Sequence, residues 1–129
     1  MITLKRLLIN ICSEDLERSK EFYTSFFDFE VTYDSDWFVH MTSKDSNLEF
    51  ALIVKDHELV PMVMNGKSGG FYVSFIVENV DKFHALARDK GVTIVGKPAD
   101  TFYGQRRMLI KDPDGNVLDI SSPTANDGE

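Results

Sequence analysis

The side chains that could do chemistry are few: His40, His57 and His84, the single cysteine Cys12, and two carboxylates set between apolar neighbours. Those carboxylates are Glu49 in Leu48-Glu49-Phe50 and Asp119 in Leu118-Asp119-Ile120. On a strand, an acid in that setting projects from one face while its neighbours pack the other. It can accept hydrogen bonds, take a proton, or help to hold a hard divalent cation with water completing the shell. No two histidines have the i, i+4 spacing of a helical metal site. His40 alternates with Phe38 and Thr42 on one strand face and is a candidate site residue. For His57, in a linker, and His84, in a helix, surface or packing roles are preferred. Cys12 shares strand parity with Leu8 and Asn10 and has no cationic neighbour in sequence to activate it, so a buried structural role is preferred for it. There is no Gly-x-Ser-x-Gly elbow, Walker loop or dinucleotide fingerprint.

The elements that must position these groups repeat. Residues 7–12 form an apolar run ending at Ser13-Glu14-Asp15, so a strand is followed by a helix with Asp15 as its N-cap. Leu16, Ser19, Phe22, Tyr23 and Phe26 then fall at helical spacing. Sixty-four residues later Asn79 stands where Asp15 did, and Val80, Phe83, Leu86 and Ala87 repeat the helical stripe before Gly91 stops it. Strands are expected over residues 31–33, 37–42 and 48–54 in the first half, and over 93–95, 103–110 and 116–121 in the second. Two βαβββ modules of about 60 residues each follow, too small to bury a good core separately. Module 1 covers about 4–55, a linker about 56–70, and module 2 about 71–123. The linker holds Pro61 and Gly66 to Gly70, yet Leu59, Val60, Met62, Val63 and Met64 are too apolar for bare solvent, so they are expected to pack. The polar residues 124–129 are expected to fray.

Aromatic side chains gather on or beside the strands: Trp37, Phe38, Tyr72, Phe102 and Tyr103, with Asn10, Glu49, Gln105, Arg106 and Asp119 as polar neighbours. Aromatics with a few convergent polar groups are what a small-molecule pocket requires. Trp37, His40, Tyr72, Tyr103, Arg106 and Asp119 are therefore the expected ligand-binding residues.

Composition limits the partners. The 129 residues carry a net charge of −7, which argues against nucleic acid or anionic membrane as a partner. No apolar run reaches a membrane span, and neither a secretion signal nor a disulfide pair is present, so a cytoplasmic location is expected.

One stretch carries a family resemblance. Asp112-Pro113-Asp114-Gly115-Asn116 is a specified turn, preceded by Tyr103-Gly104-Gln105-Arg106 and followed by Leu118-Asp119-Ile120. With the internal repeat, this resembles the vicinal-oxygen-chelate superfamily of glyoxalases, bleomycin-resistance proteins and extradiol dioxygenases. The resemblance implies an α+β fold in which two βαβββ modules form curled mixed sheets around a cavity, commonly paired between the subunits of a homodimer. It implies metal ligands on the first and last strand of each module, which here fall on Leu8 and Tyr72, and on Glu49 and Asp119. Leu8 and Tyr72 are not ordinary divalent-metal ligands. The expectation is thus a small-organic-molecule-binding protein with no metal cofactor. The alternative is a metal-dependent lyase, isomerase or dioxygenase holding a divalent ion through Glu49 and Asp119.

Overall fold

The computed structural model describes residues 1–45, 47–67 and 69–124. Two short polar side chains start its two helices. Asp15 Oδ1 accepts from the Arg18 N–H at 3.1 Å and opens α1 (Leu16–Phe26), and Asn79 Oδ1 accepts from the Lys82 N–H at 3.1 Å and opens α2 (Val80–Asp89). Each satisfies one of the amide donors that a helix N-terminus otherwise leaves unpaired. Gly91, at φ +69°, follows the end of α2 in the left-handed region where a Cβ is strained.

Around α1 stand β1 (Ile9–Ser13), β2 (Phe29–Asp34), β3 (Phe38–Ser43) and β4 (Glu49–Val54); around α2 stand β5 (Val73–Ile76), β6 (Ile94–Asp100), β7 (Gln105–Lys111) and β8 (Val117–Pro123). The first four strands form one sheet in the order β1-β4-β3-β2 and the last four another in the order β5-β8-β7-β6. In each, the outer strand joins in parallel (β1 with β4, β5 with β8) and the other pairs are antiparallel. Both sheets are curled and neither is closed. The chain divides into two compact units, residues 1–68 and 69–129. Among the described residues no helix is long and apolar enough to cross a membrane.

In the first unit α1 packs Tyr23, fully buried, against Phe50 at 4.7 Å between ring centroids, and Phe29 stacks on Phe50 at 5.7 Å. Ile11, Val39, Met41 and Leu52 complete this layer, and truncating a ring at its centre costs about 3–5 kcal/mol. The hydroxyls of Ser13 and Ser19 bond at 2.8 Å, tying β1 to α1. In the second unit Val80, Phe83 and Ala87 face the layer of Met108, Ile110, Leu118 and Ile120. The Val80 N–H donates to Ser122 Oγ at 3.1 Å, tying α2 to β8.

The turn between β7 and β8 is held by Asp112. Its Oδ1 accepts from the N–H groups of Asp114 and Asn116 at 2.9 and 2.8 Å, and its Oδ2 from Asn116 Nδ2 at 3.0 Å. Gly115 sits at φ +84°, the conformation an Asp-Gly turn uses.

Some expectations are revised in detail. Pro98 does not end β6, which runs to Asp100 rather than Val95 because it is the sheet's edge strand and its pairing with β7 shifts register twice, between Ile94 and Gly96 and between Gly96 and Ala99. The linker contains one 3-10 turn, Met62–Met64. Of its apolar residues, Val60 is buried and Met64 partly buried, packing with Cys12, Ile53, Trp37 and Phe38, whereas Leu59, Met62 and Val63 are exposed. Of residues 124–129, expected to fray, Thr124 donates its N–H to the Gly104 carbonyl at 3.0 Å, and 125–129 lie outside the described residues.

Candidate functional site

Strand alternation decides which side chains stand together. In the first unit, Phe50 and Ser13 contact α1, so Ala51 and its neighbour across the ladder, His40, point away from the helix. Glu49 shares that side. The result is a polar cluster on the face opposite α1. His40 Nε2 donates to Glu49 Oε1 at 2.8 Å, so the proton is assigned to Nε2, and Nδ1 meets the Thr32 hydroxyl. Arg6, from the segment before β1, grips the same carboxylate: its Nε lies 2.8 and 2.7 Å from the two oxygens, and Nη2 also reaches Oε1. Hydrogen bonds from Arg6 and then from His40 hold the Glu49 carboxyl down to about 2, because both favour the ionised form.

In the second unit, Ser122 faces α2, so Asp119 and Ser121 face the other way. Asp119 is 7% exposed. Its Oδ2 accepts from Ser74 Oγ at 2.7 Å and its Oδ1 from Ser121 Oγ at 2.6 Å. Arg107 Nε stands 3.3 Å from Oδ1, an ion pair rather than a hydrogen bond. The Arg107 guanidinium lies over the Tyr72 ring at 5.6 Å. Burial works to lower its pKa, but the Asp119 charge, with Tyr103 and Tyr72, outweighs burial and raises it. Phe102 and Tyr103 form an edge-on pair, 5.3 Å between centroids, on the turn before β7. Tyr72 is 57% exposed, Tyr103 52% and Phe102 99%. Gln105, at the start of β7, holds its side-chain oxygen buried with no hydrogen-bond partner among the described residues.

The expected site residues thus separate. Tyr72, Tyr103 and Asp119 come together in the second unit; His40 joins Glu49 in the first. Arg106 is placed otherwise. It pairs across the ladder with Ser122, on the helix side, and bonds Asp81 of α2 at 3.0 and 3.2 Å and Asp100 at 3.1 Å. The arginine on the Asp119 face is Arg107, which strand parity would have selected had Asp119 fixed the face first. Trp37 also differs from expectation: its indole stacks on the His57 imidazole at 4.1 Å and 14°, and it packs on Cys12, Ile53 and Val60. The stack is anchored because His57 Nδ1 accepts from the Leu59 N–H at 3.1 Å. Arg6 was missed because nothing in its local sequence marks it as a partner of a residue 43 positions away.

Neither cluster suits a divalent cation. Glu49 has one imidazole beside it, and Asp119 has only hydroxyls. Each carboxylate is already met by a guanidinium, which supplies the positive charge a metal would bring and repels a second cation. Among the described residues no group of three or more His, Cys, Asp or Glu side chains is gathered.

Comparison with known proteins gives a consistent picture. The family model described as the Glyoxalase/Bleomycin resistance protein/Dioxygenase superfamily matches residues 5–120. No curated protein matches. Among solved structures, a superfamily member from Sphaerobacter thermophilus DSM 20745 is similar at 24% identity and a TM-score of 0.75, covering 95% of this chain and 99% of that one. An antibiotic-binding protein from Streptomyces sp. CB03234 is 21% identical with a TM-score of 0.73, over 96% and 100% of the two chains. A genomically encoded fosfomycin resistance protein from Listeria monocytogenes is 15% identical with a TM-score of 0.73, over 98% of each.

Proposed function

The chain belongs to the Glyoxalase/Bleomycin resistance protein/Dioxygenase superfamily, and within it we propose that this protein binds a small organic molecule without a tightly bound metal, acting as a homodimer in the cytoplasm. The observation that carries the reading is the face around Asp119. Three aromatic rings, those of Tyr72, Phe102 and Tyr103, are at least half exposed, and Tyr72 lies against the cation of a partly buried ion pair. Exposed rings next to fixed polar groups supply stacking area and orientation at once. That one structural neighbour is an antibiotic-binding protein and another a fosfomycin resistance protein is in keeping with a small ligand. His40 with its Glu49 partner forms a separate polar cluster in the first unit, while Trp37 is assigned to packing and Arg106 to its ion pairs with Asp81 and Asp100. The homodimer is proposed because the outer edges of β2 and β6 and the aromatic face would gain cover from a second copy.

A thermal-shift screen of small organic molecules on chelator-treated protein tests this. A true ligand at about 100 times its Kd stabilises the fold by about 2.7 kcal/mol. Binding in the presence of chelator is expected, and it should weaken on Tyr72→Ala. A ligand effect that appears only on adding a divalent ion would overturn the reading in favour of a metal-dependent lyase, isomerase or dioxygenase. The pairing of His40 with Glu49 is the one observation on that side, and stoichiometric metal lost on Glu49→Gln would establish it.

A further inference from the structure

Among the described residues, Arg6, Arg106 and Arg107 meet carboxylates in different ways. Arg6 presents Nε and Nη2 to Glu49, and Arg106 spends Nε, Nη1 and Nη2 on Asp81 and Asp100. Arg107 comes closest to Asp119 through Nε, at 3.3 Å. Its two terminal amino groups, Nη1 and Nη2, have no hydrogen-bond partner among the described residues. The guanidinium is nonetheless held in place: Asp119 is fixed by two serine hydroxyls at 2.7 and 2.6 Å, and the Tyr72 ring lies under the cation. Its side chain is 30% exposed, so the group is oriented by the protein and still reachable.

A guanidinium has two edges that can each hold a carboxylate in a bidentate pair. Asp119 approaches closest at Nε, and neither Nη1 nor Nη2 makes a hydrogen bond among the described residues, so the Nη1/Nη2 edge remains available. The Tyr72 ring lies against the guanidinium face, 5.6 Å from centroid to Cζ, and the half-exposed Tyr103 stands on the turn that leads into the strand carrying Arg107. From this arrangement we infer that the ligand of the Asp119 face is a planar molecule carrying a carboxylate or similar anionic group, which Arg107 binds end-on through Nη1 and Nη2 while Tyr72 and Tyr103 stack on its plane. Arg107 is thereby the specificity-determining residue and Asp119 the positioning residue that aims it. The inference rests on the proposed small-molecule function and adds the charge of the ligand. It also gives a reason for a partly exposed cation to be kept against an aromatic ring on a chain with a net charge of −7.

The test compares three probes of one shape by NMR titration and calorimetry: 2-naphthoate, its neutral amide 2-naphthamide, and cationic 2-naphthamidine. The naphthoate should bind at least about tenfold more tightly than the amide, since each further tenfold needs only about 1.4 kcal/mol, and shifts should centre on Tyr72, Tyr103 and the Arg107 Nη protons. Arg107→Gln should abolish the preference for naphthoate while leaving amide binding in place; Arg107→Lys, which keeps the charge but not the fork, should restore part of it. Arg106→Gln removes the same charge from the opposite face and should leave the preference intact. Equal binding of naphthoate and naphthamide, tighter binding of the amidine, or a preference that survives Arg107→Gln in a folded variant would each overturn the anion assignment alone. Failure of all three probes to bind at millimolar concentration would overturn the small-molecule reading with it.

Discussion

Replacing Asp119 should cost stability in an order that the hydrogen bonds dictate. In Asp119→Ala both serine hydroxyls lose their acceptor and Arg107 loses its counter-charge. A hydrogen bond to a charged group is worth about 1.5–3 kcal/mol. Ser74 is exposed and its hydroxyl can turn to water, but Ser121 is 3% exposed and cannot. The Ser121 loss therefore dominates, the Ser74 loss is small, and the partly exposed Arg107 adds about 1 kcal/mol or less. The sum is about 2–4 kcal/mol, a fall in Tm of roughly 6–20 °C at 3–5 °C for each kcal/mol in a domain of this size. In Asp119→Asn a carbonyl oxygen remains and a serine hydroxyl can turn to accept from the amide, so the cost should drop to about 1–2 kcal/mol. Urea unfolding followed by circular dichroism reads both variants directly. Equal costs for Ala and Asn, or a cost below about 1 kcal/mol for Ala, would show that the buried carboxylate is not held as described. The result also guards the binding experiments, because loss of binding in Asp119→Ala counts only after its stability is known.

Other outcomes follow from the same contacts. The Glu49 carboxyl lies below its unfolded value of 4.5, so its contribution to stability is complete above that pH and is lost as the pH falls towards about 2; carbon-detected titration should find its midpoint near the lower figure, and a midpoint above 4 would refute the Arg6 and His40 bonds. Asp112→Ala removes three acceptor contacts from the β7–β8 turn and should cost about 2–3 kcal/mol, whereas a loss under 0.5 kcal/mol would mean that Pro113 and Gly115 specify the turn unaided. His57→Ala should alter Trp37 emission with no ligand added, since the imidazole covers one indole face; unchanged emission would return Trp37 to the list of ring surfaces open to a ligand. Light scattering at micromolar concentration should give twice the chain's 14.7 kDa, and a single-chain mass would remove the dimer.

The fold was readable where local chemistry repeats. Asp15 and Asn79 mark their helices with nothing but a short polar side chain before an apolar stripe, and both caps are present. The strand expected over 93–95 continues through Pro98 to Asp100, since a proline breaks a strand only where a ladder bond is needed and edge position cannot be read from one sequence. Within the site, strand parity placed Asp119 and His40 on their faces, but it was not carried across the ladder to separate Arg106 from Arg107. Trp37 was taken for an open ring because its stacking partner, His57, lies twenty residues away in a linker with no regular pattern. The Arg6–Glu49 contact spans 43 residues and leaves no periodic trace.

The parallel pairing at the outer edge of each sheet also orders the events of folding. β2, β3 and β4 follow one another through short turns, as do β6, β7 and β8, and such hairpins close within microseconds. Ile9 must wait for Phe50, and Val73 for Leu118, so each β1-type strand closes a loop of about forty residues with a helix inside it. That closure is the slow step in either unit and the one that traps the helix against its sheet. During synthesis β1 can pair with β4 once residue 54 has left the ribosome, before the second unit has been made, while Val73 stays unpaired until β8 has been made.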